Sequence, residues 1–140
     1  PTSFSLALPN APAGLFSIGR SDRSASTSLA AGLDSLPMAI LEAAGLLDEG
    51  APRVLVVVYE EPLPLPFQPY VAETEPCAAL AMLLTRGAPQ AFDLELLPGG
   101  ADANLDQGHL LPFLRFLARE QAGELSVRHG ARGWRWRRTA

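Results

Sequence analysis

The sequence predicts a single α/β domain, and three observations predict it. An unbroken apolar run covers residues 54–58, an amphipathic stripe of helical period covers residues 36–48 just before it, and strand-like alternation marks the last third of the chain. An apolar run with no alternation suits a strand covered on both faces by helices. At 140 residues and 48% hydrophobic content the chain is long enough for one real core. Charged residues make up 19% of it and the net charge is -4, which argues against a nucleic-acid binder and against a disordered segment.

Taken in order, Phe4, Leu6 and Leu8 alternate with small or polar residues and predict a short extended segment closed by Pro9 and Asn10. Ala13, Leu15, Phe16 and Ile18 suit a brief helix over residues 13–20. The small and β-branched side chains of residues 24–31 read as a strand that lets another backbone approach closely. The clearest helix spans residues 36–48, with Asp34 or Ser35 as cap, Pro37 in the first turn and Gly50 as the stop. Its inward stripe is Leu36, Ile40, Ala43, Ala44 and Leu47. With the strand at 54–59 it completes an expected right-handed βαβ unit.

Pro62, Pro64, Pro66 and Pro69 impose an extended surface connector. Strands are expected at 77–85 and 92–97, antiparallel to one another across the Gly87-Ala88-Pro89 turn. A loop over 98–107 leads to an amphipathic helix over 110–119 carrying Leu110, Phe113, Leu114 and Leu117. A last hairpin joins 124–128 to 134–137 through Gly130 and Gly133. Alternation places Trp134 and Trp136 on the core face and Arg135 and Arg137 outward. The arginines of this tail, with Arg128, Arg132 and Arg138, read as a solvated edge strand guarded by charge; the functional alternative is a strip for an acidic carrier protein or a phosphate, with single-stranded nucleic acid as a formal third option.

Cys77 is the only cysteine and His109 and His129 the only histidines, so neither a disulfide nor a zinc-ligand spacing arises, and no metal or cofactor is expected. Cys77 lies in an apolar setting and should be a small buried hydrophobe. His109 is expected to be an ordinary helix-start residue and His129 a turn residue. No stretch approaches a membrane span, and the default location is cytoplasmic. Opening at Pro1 within a segment of core character, the chain is expected to be the carboxy-terminal part of a longer product.

Asn10-Ala11-Pro12-Ala13-Gly14-Leu15-Phe16-Ser17-Ile18 followed by Arg23-Ser24-Ala25-Ser26 resembles the beta-ketoacyl synthase pattern N-x-x-A-G-x-x-[ST]-I-x4-R-G-P-S, with Asn10, Gly14 and Arg23 at its fixed points. The register continues without a gap through the helix ending at Gly50 and the buried strand as far as Glu61. More narrowly, the chain is similar to short synthase-like proteins that match the amino-terminal half of the synthases and occur with aryl-polyene-type pathways. Their S-x4-N-A-x-A-G-L-x-S-I and W-R-W motifs have counterparts from Ser5 to Ile18 and at Trp134-Arg135-Trp136, while Pro9 stands where that group usually has histidine. The resemblance implies a thiolase-like half-fold, a mixed sheet of five or so strands with helices on its faces.

A condensing enzyme needs a thiolate at the start of the long helix, where the dipole and backbone N–H groups lower its pKa and stabilise an oxyanion. In the resemblance's register that position is Leu33, and an alternative register gives Leu29. The family's two catalytic histidines belong to its carboxy-terminal half, and Gly108-His109-Leu110-Leu111 departs from the family's G-H-x-x-G-A-x-G turn at Pro112 and Phe113. No catalytic residue is therefore expected. The resemblance implies a non-catalytic partner like a chain-length factor, pairing with a catalytic synthase or with itself through Ser26, Thr27, Ser28, Leu29, Ala30 and Ala31, and serving an acyl carrier protein. Phe16, Leu33, Leu36 and Met38 would line or limit an acyl tunnel. Ser17, Ser21, Ser24, Ser26, Ser28 and Ser35 raise a rival reading, a serine-dependent acyl transferase or hydrolase, although no G-x-S-x-G elbow exists. A homodimeric structural module is the third reading.

Overall fold

The computed structural model describes residues 8–70, 77–98, 109–119, 123–129 and 132–139. The segment expected to be extended around Phe4 and Leu6 and the loop over 98–107 lie almost wholly outside these residues. Three helices are described, α1 (Ala11–Arg20), α2 (Ser35–Asp48) and α3 (Leu110–Ala118), with five strands, β1 (Val54–Glu60), β2 (Ala78–Leu84), β3 (Ala91–Pro98), β4 (Glu124–His129) and β5 (Arg132–Thr139). The α/β class agrees with the sequence reading, and the five described strands match the five or so that the resemblance implies, although they do not form one mixed sheet. The strands form two antiparallel sheets, β1-β2 and β3-β5-β4.

α2 forms because its apolar stripe has something to cover. Leu36, Ile40 and Ala43 are buried and the helix packs along β1, whose Val56 and Val58 face it. Ala44, also placed on the inward stripe, is exposed. The helix stops at Gly50, which takes a φ of 108° that side-chain-bearing residues rarely adopt. Arg86, just beyond β2, donates from Nε to the Leu47 carbonyl at 2.8 Å and pairs with Asp48 at 2.9 Å, supplying a partner to a carbonyl at the helix end.

α3 lies against β2 and β4 and carries Leu110, Phe113 and Phe116 into the same core. There Phe113 meets Trp136 of β5 with ring centroids 4.4 Å apart, and Phe92 of β3 packs edge-on against both. Offset and edge-to-face aromatic contacts of this kind add about 0.5–1.5 kcal/mol each beyond the area they bury.

Several expectations about pairing are corrected. Residues 24–31 form no strand: they run exposed and unladdered from α1 to α2, since their short side chains bury too little apolar area to hold an isolated strand in place. The βαβ crossover is accordingly not formed, and β1 pairs antiparallel with β2, Val54 opposite Leu84 and Glu60 opposite Ala78. β2 and β3 do not pair with each other. β1 is covered on one face only, with Leu55, Val57 and Tyr59 exposed on the other. The proline connector coils into a 3-10 segment at Leu65–Tyr70 instead of staying extended.

β5 is the central strand of its sheet, not an edge. Trp134 and Trp136 do face the core, at 1% and 0% exposure. Glu95 and Glu124 on the neighbouring strands supply acids that a linear reading of the tail does not put beside it. Cys77 is exposed at the entry to β2, and not buried as its apolar neighbours suggest.

Candidate functional site

The site singled out by the sequence is the head of α2. A 3-10 turn at Gly32–Asp34 leads into the helix, opened by Gly32 at φ 59°, a left-handed conformation suited to glycine. The Ser35 hydroxyl donates to the Gly32 carbonyl at 2.7 Å and accepts the Ala31 N–H at 3.0 Å, so one side chain closes the turn on both sides. Asp34 caps nothing with its carboxylate. It points inward at 8% exposure, where Oδ1 accepts the indole N–H of Trp134 at 2.6 Å and Oδ2 lies 3.5 Å from Nη1 of Arg132.

Leu33 therefore projects from a tightly held turn at the positive end of a helix of 14 residues, and at 37% exposure it is open to an approaching molecule. Leu36, one turn on, is 2% exposed and belongs to the core; Met38 is half-buried. Phe16 stands exposed on α1, a helix with no buried residue. Asn10 precedes α1, its carbonyl accepting the Gly14 N–H at 2.9 Å, and Arg23 is exposed beyond the helix. Ser26, Thr27, Ser28, Leu29 and Ala30 are all exposed in the run to the turn, and Ala31 is half-buried at its end.

His109 sits immediately before α3, as a helix-start residue, and is 3% exposed. His129 ends β4, paired in register with Arg132. Among the described residues no group of His, Cys, Asp and Glu side chains could hold a metal ion.

The arginine strip is largely engaged within the chain. Arg135 pairs with Glu95 at 3.0 Å and Glu124 at 3.2 Å, Arg137 lies 3.6 Å from Glu124, and Arg138 donates to the Phe116 and Leu117 carbonyls at the end of α3. A groove of about 270 Å³ between α3 and β4 presents Arg115 and Arg119 instead. Burial pushes the Glu60 carboxyl, at the end of β1, above its usual range, while hydrogen bonds from the Ser24 side chain and backbone hold Asp22 below it.

Sequence reasoning missed the inward role of Asp34, because a carboxylate before a helix is read first as a cap. A signal was present: a core-facing indole needs an acceptor for its N–H, and Trp134 is core-facing by alternation. Which acceptor it would find, 100 residues away, was not legible.

A family model described as beta-ketoacyl synthase, N-terminal domain, matches residues 1–137. In three dimensions the chain is similar to a chain of the ketosynthase (ApeO) in complex with its chain length factor (ApeC) from Xenorhabdus doucetiae, with a TM-score of 0.80 and 24% identity. The likeness covers 98% of this chain and 57% of that one, so this chain spans a little over half the length of the solved chain, and it establishes a thiolase-like fold. No curated protein matches. No described helix is long and apolar enough to cross a membrane.

Proposed function

The chain belongs to the beta-ketoacyl synthase family, and from that premise we propose that it is a non-catalytic synthase-like subunit, a chain-length-factor-like partner in acyl chain elongation. One observation carries the reading. At the head of α2, where a condensing enzyme requires a thiolate stabilised by helix N–H groups, the resemblance places Leu33, and a hydrocarbon side chain can neither attack a thioester nor carry an acyl group. Cys77 stands at the entry to β2, outside that turn.

In this reading a catalytic ketosynthase supplies the sulfur and the histidines, and an acyl carrier protein delivers the chain. Leu33 at the head of α2, with half-buried Met38 in the same helix, and Phe16, exposed on α1, each offer an apolar side chain that would limit how far an acyl chain extends. The run over residues 26–31, exposed as far as Ala30 and laddered to no strand among the described residues, suits pairing with another chain. Similarity to a structure in which a ketosynthase is bound to its chain length factor supports this assignment, as does the aryl-polyene-type motif set at Ser5, Asn10 and Trp134. A cytoplasmic setting fits the chemistry.

Association tests the proposal. Mixed at micromolar concentration with a catalytic ketosynthase of the same organism, the protein should form a complex whose native mass is the sum of one copy of each. Persistent separation of the two would remove the reading.

A further inference from the structure

Asp34 follows Leu33 directly, and the hydrogen bonds around it leave the turn little freedom. Its carboxylate is tied to β5 twice, through the buried indole N–H of Trp134 and through Arg132, while its own N–H donates to the Ala31 carbonyl at 3.2 Å. A carboxylate brought into a core is costly unless charge and hydrogen bonds answer it, and here two of the answering groups come from the far end of the chain. Capping alone does not account for this arrangement, because Asp34 makes no side-chain capping bond. Nor does packing alone, because filling space does not require the indole N–H to be aimed at a carboxylate oxygen 2.6 Å away.

We infer that Trp134 and Arg132 are positioning residues that lock the Gly32–Asp34 turn, and with it the orientation of Leu33, to the central strand of the second sheet. The Trp134-Arg135-Trp136 stretch then has divided duties. Trp136 fills the aromatic core, Arg135 bridges Glu95 and Glu124 on the flanking strands, and Trp134 reaches the candidate site. The lock itself is independent of any partner; its use in presenting Leu33 rests on the function proposed above.

Amide hydrogen exchange on the full chain, followed residue by residue, separates a lock from general support. Trp134→Phe removes the donor together with part of the ring's volume, whereas Asp34→Ala and Asp34→Asn leave the indole in place. Protection of the Ala31 and Asp34 amides should fall about tenfold, the equivalent of one charge-assisted hydrogen bond. The amides of Ala43 and the residues after it in α2 should be unchanged. Asp34→Ala should do the same, the double variant no more than either single one, and Asp34→Asn, which retains an acceptor for the indole, should restore part of the protection. Unaltered exchange at Ala31 and Asp34, or an equal loss along the whole of α2, overturns the lock. If Trp134→Phe does not fold, the Asp34 pair reads the same amides. Titrating each variant against the catalytic ketosynthase tests the link to function: weaker association in step with the loosened turn supports it, and unchanged association overturns that link while leaving the lock standing.

Discussion

Phe113 is fully buried, with Phe92, Phe116 and Trp136 in ring contact around it. Truncating it leaves a cavity that three aromatic rings cannot collapse into, so Phe113→Ala should cost about 3–5 kcal/mol by denaturant unfolding, with the slope unchanged. Glu60 gives a prediction of opposite sign. Burial raises its carboxyl pKa above the ordinary 4.5, so the folded state holds the proton more tightly than the unfolded chain does. Its contribution is therefore most favourable below 4.5 and is lost as pH rises through the unfolded and then the folded value. Glu60→Gln should melt higher than the natural protein at neutral pH, and the difference should shrink on acidification; a gap constant with pH would refute the cause. At this scale the two tryptophans were legible, because period-two alternation fixes which side chains of a strand face inward. The inward turn of Asp34 was not, since it depends on a partner distant in sequence.

Among the elements, α2, β1, α3 and the final hairpin follow from local pattern, and their observed limits differ from the expected ones by a residue or two. Their pairing does not. β2 and β3 are both short, and although β3 alternates acids with apolar residues, nothing local names β1 as the partner of one and β5 as the partner of the other. The apolar run of β1 suggested two covered faces, yet composition reports what a face could bury, not what is present to bury it. β5 was read as an edge because its charge looked protective, when the acids opposite it lie on β3 and β4. Its central position also explains Gly133. A Cβ there would come within 2.7 Å of Arg128 Cγ and 3.3 Å of the Val127 carbonyl oxygen, with Leu97 Cβ at 3.4 Å. Gly133→Ala should accordingly destabilise by about 1–3 kcal/mol through displacement of β4, measurable as a lowered unfolding midpoint. An unshifted midpoint would mean that the hairpin yields freely.

For the whole molecule, what stands out is apolar surface left open: Leu55, Val57 and Tyr59 on β1, Leu83 on β2, and Leu15, Phe16 and Ile18 on a helix that buries nothing. On the β1-β2 face, where Leu55 lies opposite Leu83, the exposure is contiguous, and such a patch marks an association surface more often than a monomer's exterior. Kinship with the synthases was legible in the sequence from the spacing of Asn10, Gly14, Ser17 and Arg23, and the family match over residues 1–137 agrees with it. The partner could not be read the same way, because complementarity is a property of two surfaces. The central claim is that this chain carries no acyl nucleophile and lends its surface to a chain that does. Intact-mass analysis of the two proteins together, after exposure to an acyl-carrier thioester, tests it most directly. The account predicts an acyl adduct on the ketosynthase and none on this chain, whereas an adduct on any serine or on Cys77 of this chain would contradict it.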